Sequence, residues 1–565
     1  MTLHPAVAER LARLAPDQRR AATAPPGPVL CVAPAGSGKT TTLVARVAWL
    51  VAGGAAPGAI AAITFNVRAA EELRERLSTA LAPLGTSADE SGVRVRTFHA
   101  IGREILADAG IDVSRLVDRS LILRRLWPQA PATVRRRFDD VFSRLKLDRG
   151  LTLAAAESEV EGVETPDRWL QAFVAYERAL QDGAELDFDD LVVRAVGLLE
   201  ADEALLARWR ARCANLLVDE VQDVDRTQLR LALLLAMPSN RIFLVGDDDQ
   251  TIYGWRLADV RRVMALDRAL PGLRRIDLET NYRCPSPVVE RAVRLVSVNR
   301  ERFEKRIRAR DVAPGRLVLA ADAADDHVRI ARVMRTWPAD GSTRAVLART
   351  NAELLPAVEA ALELGVPFRA SRLVTLLDDE RLDGLLDRTA EPRLTSLPLL
   401  VGLERLRHEL ALEPPPEPGT DAAESDAPAA ESDADELPLE GLARALLAWA
   451  PRYPNLDALR AAIDERRARL AALRRDDAKL SLATIHGTKG LEFDHVVVVG
   501  MESGRFPNER SVAEALEPAR ALEEEPRLAY VAWTRSRSSL TLSFDPAVPS
   551  RFLLEAFDPG ELPAA

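Results

Sequence analysis

The apolar run Val29-Leu30-Cys31-Val32 leads directly into Ala33-Pro34-Ala35-Gly36-Ser37-Gly38-Lys39-Thr40, and Thr41 to Val47 continue with helical spacing. A strand, a turn of small residues and a helix start, in that order, constrain the chain to an α/β unit with a phosphate-binding loop. Gly36 and Gly38 let the backbone curl so that successive N–H groups, those of Ala35 to Thr41, point inward at an anion. The helix N-terminus adds its partial positive charge. Lys39 has the reach for the β- and γ-phosphates of ATP, and the Thr40 hydroxyl suits Mg²⁺. The strict pattern begins with glycine, and Ala33 stands there instead. A plain helix-capping turn would explain the glycines but not Lys39-Thr40.

At 565 residues the chain is too long for one core, and several domains are expected. Its net charge of -10 requires that any nucleic-acid contact come from a local basic surface. Cys31, Cys213 and Cys284 lie far apart, without metal-ligand spacing or a disulfide framework, which points to a reducing compartment. No apolar stretch approaches membrane-spanning length and the N-terminus has no apolar signal core, so a cytoplasmic protein without membrane contact is expected.

Upstream of the loop, Gln18 offers both a donor and an acceptor, as reading an adenine edge requires, although a helix-cap role fits equally. Ile60 to Phe65 and Val93 to His99 are short strands ending in polar and aromatic residues. Ligands of open α/β sheets bind beyond the carboxyl ends of the strands, so Phe65, Thr97, Phe98 and His99 are expected to share one rim. Residues 101–200 read as helical, with basic clusters at Arg124-Arg125 and Arg135 to Arg137, then Arg144 and Lys146, which together suit a phosphate backbone. Leu216-Leu217-Val218-Asp219-Glu220 is a strand ending in two carboxylates. In a phosphate-loop protein Asp219 belongs to the Mg²⁺ shell, and Glu220 orients and deprotonates the attacking water. Ile242 to Gln250 repeats the pattern, with Gln250 placed to sense the γ-phosphate. Tyr253, Trp255 and Arg256 follow, suited to a base or a phosphate.

These segments resemble, in order, the motifs of the UvrD/Rep/PcrA group of superfamily 1 DNA helicases. To those already quoted the chain adds Asp187-Phe188-Asp189-Asp190, Leu278-Glu279-Thr280-Asn281-Tyr282-Arg283, Ala348-Arg349-Thr350-Asn351, Thr484 to Phe493 and Tyr530 to Arg535. The resemblance implies that Tyr282 stacks on adenine and that Glu492 contacts the ribose. It also implies that Arg283 and Arg535 reach the γ-phosphate as arginine fingers and that His486 lies near DNA. Three departures stand out. Residues 371–479 replace a large helical insertion with a short region, of which 414–438 has no Lys or Arg and a composition that favours disorder. Thr41 occupies the position of an adenine-sandwiching arginine. Only residues 545–549 stand where relatives carry a strand-separating hairpin.

The expected fold is α/β, two RecA-like parallel-sheet motor domains with ATP between them. The expected divisions are 1–100 with 201–277 and 278–370 with 480–565, with helical insertions at 101–200 and, reduced, at 371–479. Three functions are open. One is a helicase acting on single-stranded or tailed duplex DNA, moving 3′ to 5′ as the resemblance implies, in repair, recombination or replication. A second is a single-strand translocase that strips proteins or drives a protein partner such as a nuclease or a repair factor, in repair or phage defence. The third is a DNA-activated ATPase switch.

Overall fold

The computed structural model describes residues 3–88, 92–161, 167–310, 314–370, 373, 375–412, 439–515 and 517–563. Its first sheet contains β1 (Val29–Val32), β2 (Ile60–Thr64), β3 (Arg94–Thr97), β4 (Asn215–Val218), β5 (Ile242–Gly246) and β6 (Arg274–Asp277), in the spatial order β3-β2-β4-β5-β1-β6. Every ladder in it is parallel. Side chains alternate between two covered faces. Val29 and Cys31 pack toward the helices Lys39–Ala52 and Val67–Leu81, whereas Leu30 and Val32 pack toward Phe98–Asp108 and Asp190–Ala201. Burial on both faces is why these strands read as continuous apolar runs.

After β6 the chain crosses through β7 (Thr280–Asn281), which pairs with β8 (Arg308–Ala309). The second sheet contains β9 (Arg316–Ala321), β10 (Arg344–Ala348), β11 (Phe368–Arg369), β12 (Leu480–Thr484), β13 (Phe493–Val498) and β14 (Ser536–Phe544), ordered β11-β12-β10-β13-β14-β9. It too is parallel throughout and covered on both faces. Ala35 and Ile252 of the first half sit in the same apolar cluster as Cys284, Leu528 and Trp533 of the second, so the two halves share a packed interface. The fold class is that expected, a pair of RecA-like parallel α/β units.

The segment 101–200 divides between two packing environments. Its flanking helices Phe98–Asp108 and Asp190–Ala201 belong to the first sheet's core, while Ile122, Leu123, Phe142, Phe173, Tyr176 and Leu180 enclose a separate one. Lys146 departs from the expected basic surface. Its side chain is buried on Glu177, Asp187 and Asp190 at 2.8–2.9 Å, so it is not available to a phosphate backbone. Arg144 faces Glu517 at 3.4 Å.

The region 371–479 is more ordered than its weak pattern suggests. Helices Arg381–Thr389, Leu399–Leu412, Leu439–Trp449 and Leu456–Leu473 bury Leu382, Leu386, Leu403, Leu406, Leu446 and Ile463 in a core of their own. The acidic stretch 414–438 lies outside the described residues. Beyond β14 the chain turns through 545–549 into the helix Arg551–Ala556, with one isolated bridge between Glu502 and Pro549. Among the described residues every named strand pair is parallel, so no strand-separating β-hairpin is formed there.

Candidate nucleotide and nucleic-acid site

The candidate phosphate loop stands at the carboxyl end of β1. Gly36 and Gly38 adopt φ of 68° and 84°, the left-handed region open chiefly to glycine. Both are also closely approached. A Cβ on Gly36 would stand 2.8 Å from the Arg283 Cβ, and one on Gly38 would stand 2.6 Å from the Gln18 Nε2. Gln18, in the helix Pro16–Ala22, donates from Nε2 to the Ser37 carbonyl at 2.8 Å and accepts the Ala15 N–H at 3.1 Å. Its amide therefore braces the loop.

The residues present fit a nucleotide's phosphates. The helix Lys39–Ala52 starts without a side-chain cap on its first-turn N–H groups. Ser37 Oγ is buried with no hydrogen-bond partner among the described residues. Thr40 lies in the first helical turn and Thr41 is exposed. Uncapped donors beside a lysine are what an anionic ligand satisfies. The hydroxyl of Thr40 and the carboxylate of Asp219 are hard oxygen ligands of the kind Mg²⁺ takes.

Lys39 Nζ pairs with Glu220 at 2.9 Å. Glu220 follows the end of β4 with a left-handed φ of 52°, an uncommon backbone for a non-glycine residue, and accepts a second hydrogen bond from Gln222 Nε2 at 2.5 Å. Burial opposes its charge, yet Lys39 and Lys489 draw its carboxyl down to about 2. Burial and the adjacent Glu220 push Asp219 up to about 7. The same acidic neighbours, against the cost of burial, hold Lys39 above the usual lysine range.

Residues from the second half reach this loop. Asn281 Nδ2 donates to the Ala35 carbonyl at 2.8 Å, and the Tyr282 N–H donates to the Gly36 carbonyl at 2.8 Å. These bonds leave the Tyr282 ring 40% exposed beside the loop. Arg283 Nε donates to Glu492 Oε2 at 2.5 Å, while the other Glu492 oxygen takes Arg537. In this state Glu492 is engaged by two arginines. Arg535 is fully buried and donates to Gln250 Oε1 at 3.1 Å. Burial first, then the nearby Arg283, lowers its guanidinium to about 10.

On the same rim Phe65 stacks on Tyr253, with centroids 5.1 Å apart and planes inclined by 15°. Tyr253 meets Trp255 edge-on, and Arg256 lies 4.6 Å over the Trp255 ring. His99 stacks on Phe188 at 4.0 Å, and burial lowers its imidazole to about 4. Thr97 caps the helix Phe98–Asp108 by accepting the Ala100 N–H. Phe98 departs from the expected rim, because its ring is buried in the core beneath the first sheet. The His486 ring is held neutral, lowered to about 3 by burial and by Arg349 and Lys489, while its carbonyl faces the Tyr253 hydroxyl.

Sequence reasoning assigned no role to Lys489. It crosses from the second half to Asp223 at 2.6 Å and to the Gln250 carbonyl at 2.5 Å, and lies 5.0 Å from the Tyr253 ring centroid. Its place inside the motif Thr484 to Phe493 was the available signal. Asp247, which accepts from both Ala35 N–H and Gln250 Nε2, likewise lies inside a motif, Ile242 to Gln250, in which Gln250 alone was given a role.

Residues 14–271 match the UvrD/REP helicase N-terminal domain, and residues 459–546 match the UvrD-like helicase C-terminal domain. The chain is 30% identical to the DNA helicase II of Escherichia coli (strain K12), over 93% of this chain and 84% of that protein. It is 29% identical to the ATP-dependent DNA helicase UvrD2 of Mycobacterium tuberculosis (strain ATCC 25618 / H37Rv), over 96% and 81%. It is 31% identical to the ATP-dependent DNA helicase Rep of E. coli (strain K12), over 52% and 45%. Among the described residues no helix is long and apolar enough to cross a membrane.

Proposed function

Because this chain belongs to the UvrD/REP family of DNA helicases, we propose that it is an ATP-driven motor moving 3′ to 5′ along single-stranded DNA. The motor domains in this reading are 1–100 with 201–277 and 278–370 with 480–565, and the helical insertions are 101–200, whose end helices pack in the first sheet's core, and 371–479. One observation carries it: residues of both sheets meet at one loop. Lys39 and Glu220 pair from the first sheet, while Arg535 bonds Gln250 and Arg283 stands against Gly36 from the second.

In this reading Lys39 holds the β- and γ-phosphates, and Glu220, once released from Lys39, takes the proton of the attacking water. Gln18 and Tyr282 bound the adenine, and Glu492 exchanges an arginine for the ribose. Arg283 and Arg535 stabilise the charge that spreads over the phosphoryl oxygens in the transition state. Thr40 and Asp219 would hold Mg²⁺, which when bound would supply charge neutralisation at the phosphates. Phe65, Tyr253, Trp255, Arg256, His99, Thr97 and His486 line the path of the strand, where stacking supplies sequence-tolerant grip.

A second reading, a translocase that drives a partner in DNA repair or a related process, is favoured by the lack of an antiparallel ladder among the described residues. The test is the ATP turnover of purified protein with and without single-stranded DNA, run beside unwinding of 3′-tailed and 5′-tailed duplexes. DNA-stimulated turnover with activity restricted to 3′ tails supports the helicase. Stimulated turnover without unwinding supports the translocase. Turnover indifferent to DNA sinks both.

A further inference from the structure

A second buried charge cluster stands directly behind Gln250. Asp247, Asp248 and Asp249 follow β5, and all three side chains are fully buried. They converge on Lys305, itself buried, whose Nζ donates to Asp247 Oδ1 at 2.7 Å and to Asp248, and pairs with Asp249 at 2.9 Å. Arg302 closes a two-pronged pair with Asp249 at 2.8 and 2.9 Å, and the Phe303 N–H donates to Asp248 at 2.7 Å. Against the cost of burial, the carboxylates hold the Lys305 ammonium above the usual lysine range.

The cluster faces the proposed ATPase site through one residue. Asp247 takes Lys305 on Oδ1 and takes both the Ala35 N–H at 3.0 Å and Gln250 Nε2 at 2.8 Å on Oδ2. An amide has a donor end and an acceptor end. With the Gln250 NH₂ committed to Asp247, its oxygen points to Arg535, from which it accepts at 3.1 Å. The segment carrying Lys305 also reaches the helix that delivers Arg535. Asn299 Nδ2 donates to the Glu523 carbonyl at 2.8 Å, and Arg527 donates to the Glu301 carbonyl at 2.6 Å.

We propose that Lys305 is a positioning residue for ATP turnover, which through Asp247 fixes the Gln250 amide with its donor end inward and its oxygen toward Arg535. This rests on the reading of the site as an ATPase. Without the ammonium, Asp247 Oδ1 loses its charged donor, and of the two cations on the three buried carboxylates there remains Arg302, which bonds Asp249, so the carboxylates cannot all stay ionised and oriented. Asp247 then turns or takes a proton, and Gln250 loses the acceptor that sets its orientation. ADP lacks the γ-phosphate that Gln250 meets, so ADP binding is spared.

The test uses the full chain. Lys305→Met keeps most of the side chain's bulk and removes its charge. Turnover should fall by about 10²-fold, the scale of a misplacement near 1 Å, while affinity for a fluorescent ADP changes less than about threefold. The double variant Lys305→Met/Asp248→Asn restores the charge balance. Its melting temperature should return toward wild type while its turnover stays low. Asp247→Asn, which keeps Lys305 but weakens the link, should show the same split. All variants are compared at a temperature where circular dichroism shows them folded. Wild-type turnover in folded Asp247→Asn, or recovery of turnover along with stability in the double variant, overturns the inference and leaves the ATPase standing. A wild-type protein without ATPase activity sinks the functional reading instead.

Discussion

Glu220 sits where two demands meet: a left-handed backbone that aims its carboxylate at Lys39, and burial that would favour its neutral form. Lys39 answers the second demand, so the carboxylate stays ionised and basic groups surround it. Glu220→Gln keeps the shape and removes the base. ATP hydrolysis should fall by about 10²–10⁴-fold, the usual range for general-base loss, with nucleotide affinity retained in a binding titration. Failure to bind nucleotide would remove Glu220 from the water-activating role. Arg283 makes a different case, because its partner Glu492 is half exposed and is shared with Arg537. Arg283→Ala should lower turnover by about 10³-fold, as for arginine fingers, with a much smaller change in ATP affinity. Near-normal turnover would take it out of the site. Much of this arrangement is legible in the chain, since the curl of a phosphate loop is dictated by local residues. Lys305 is not legible. It lies in Asn299-Arg300-Glu301-Arg302-Phe303-Glu304-Lys305, which has the composition of a solvated surface, and its partners stand more than fifty positions upstream.

At the scale of elements, the turn that follows Gln250 is the most exposed part of the candidate strand path. Trp255 is 48% exposed and flanked by Tyr253 and Arg256, so it is not a core residue misread as a contact. Trp255→Ala should weaken single-stranded DNA binding by about 1–3 kcal/mol, the range for losing one base–aromatic stack. Its melting curve should coincide with wild type. A variant that melts early but binds DNA normally would return Trp255 to a structural role. The parallel strands were readable because burial on both faces leaves unbroken apolar runs such as Val496 to Val499. The helices of 381–473 were harder to read, because each contributes only a few leucines to a small core assembled from distant segments. The Lys146 environment was hidden for a related reason. A lysine in a basic run reads as surface until Glu177, Asp187 and Asp190 are brought around it by folding.

Across the whole molecule, the two parallel sheets share an interface through Ala35, Ile252, Cys284 and the helix Pro518–Trp533, and the candidate nucleotide loop lies at that interface. Arg535 and Lys489 both bridge it, to Gln250 and Asp223, so any opening between the halves must break charged contacts near the loop. A motor of this kind needs only that cleft and a strand path. Separating a duplex needs more, because each base-pair step costs about 1.4 kcal/mol of stacking to open. Past β14 the chain turns at 545–549 and enters a helix whose Phe552 and Leu553 are packed in the second sheet's core. No antiparallel ribbon projects there, and the second insertion among the described residues is a small helical body. Single-stranded DNA should therefore stimulate ATP turnover strongly, while the isolated protein unwinds a long 3′-tailed duplex poorly and relies on fraying at the junction. Fluorescence-based unwinding of duplexes of increasing length, with protein in excess and a trap for released strand, measures this. Yield should drop steeply with length, and sustained unwinding of long duplex by the purified chain would show that another element supplies the wedge.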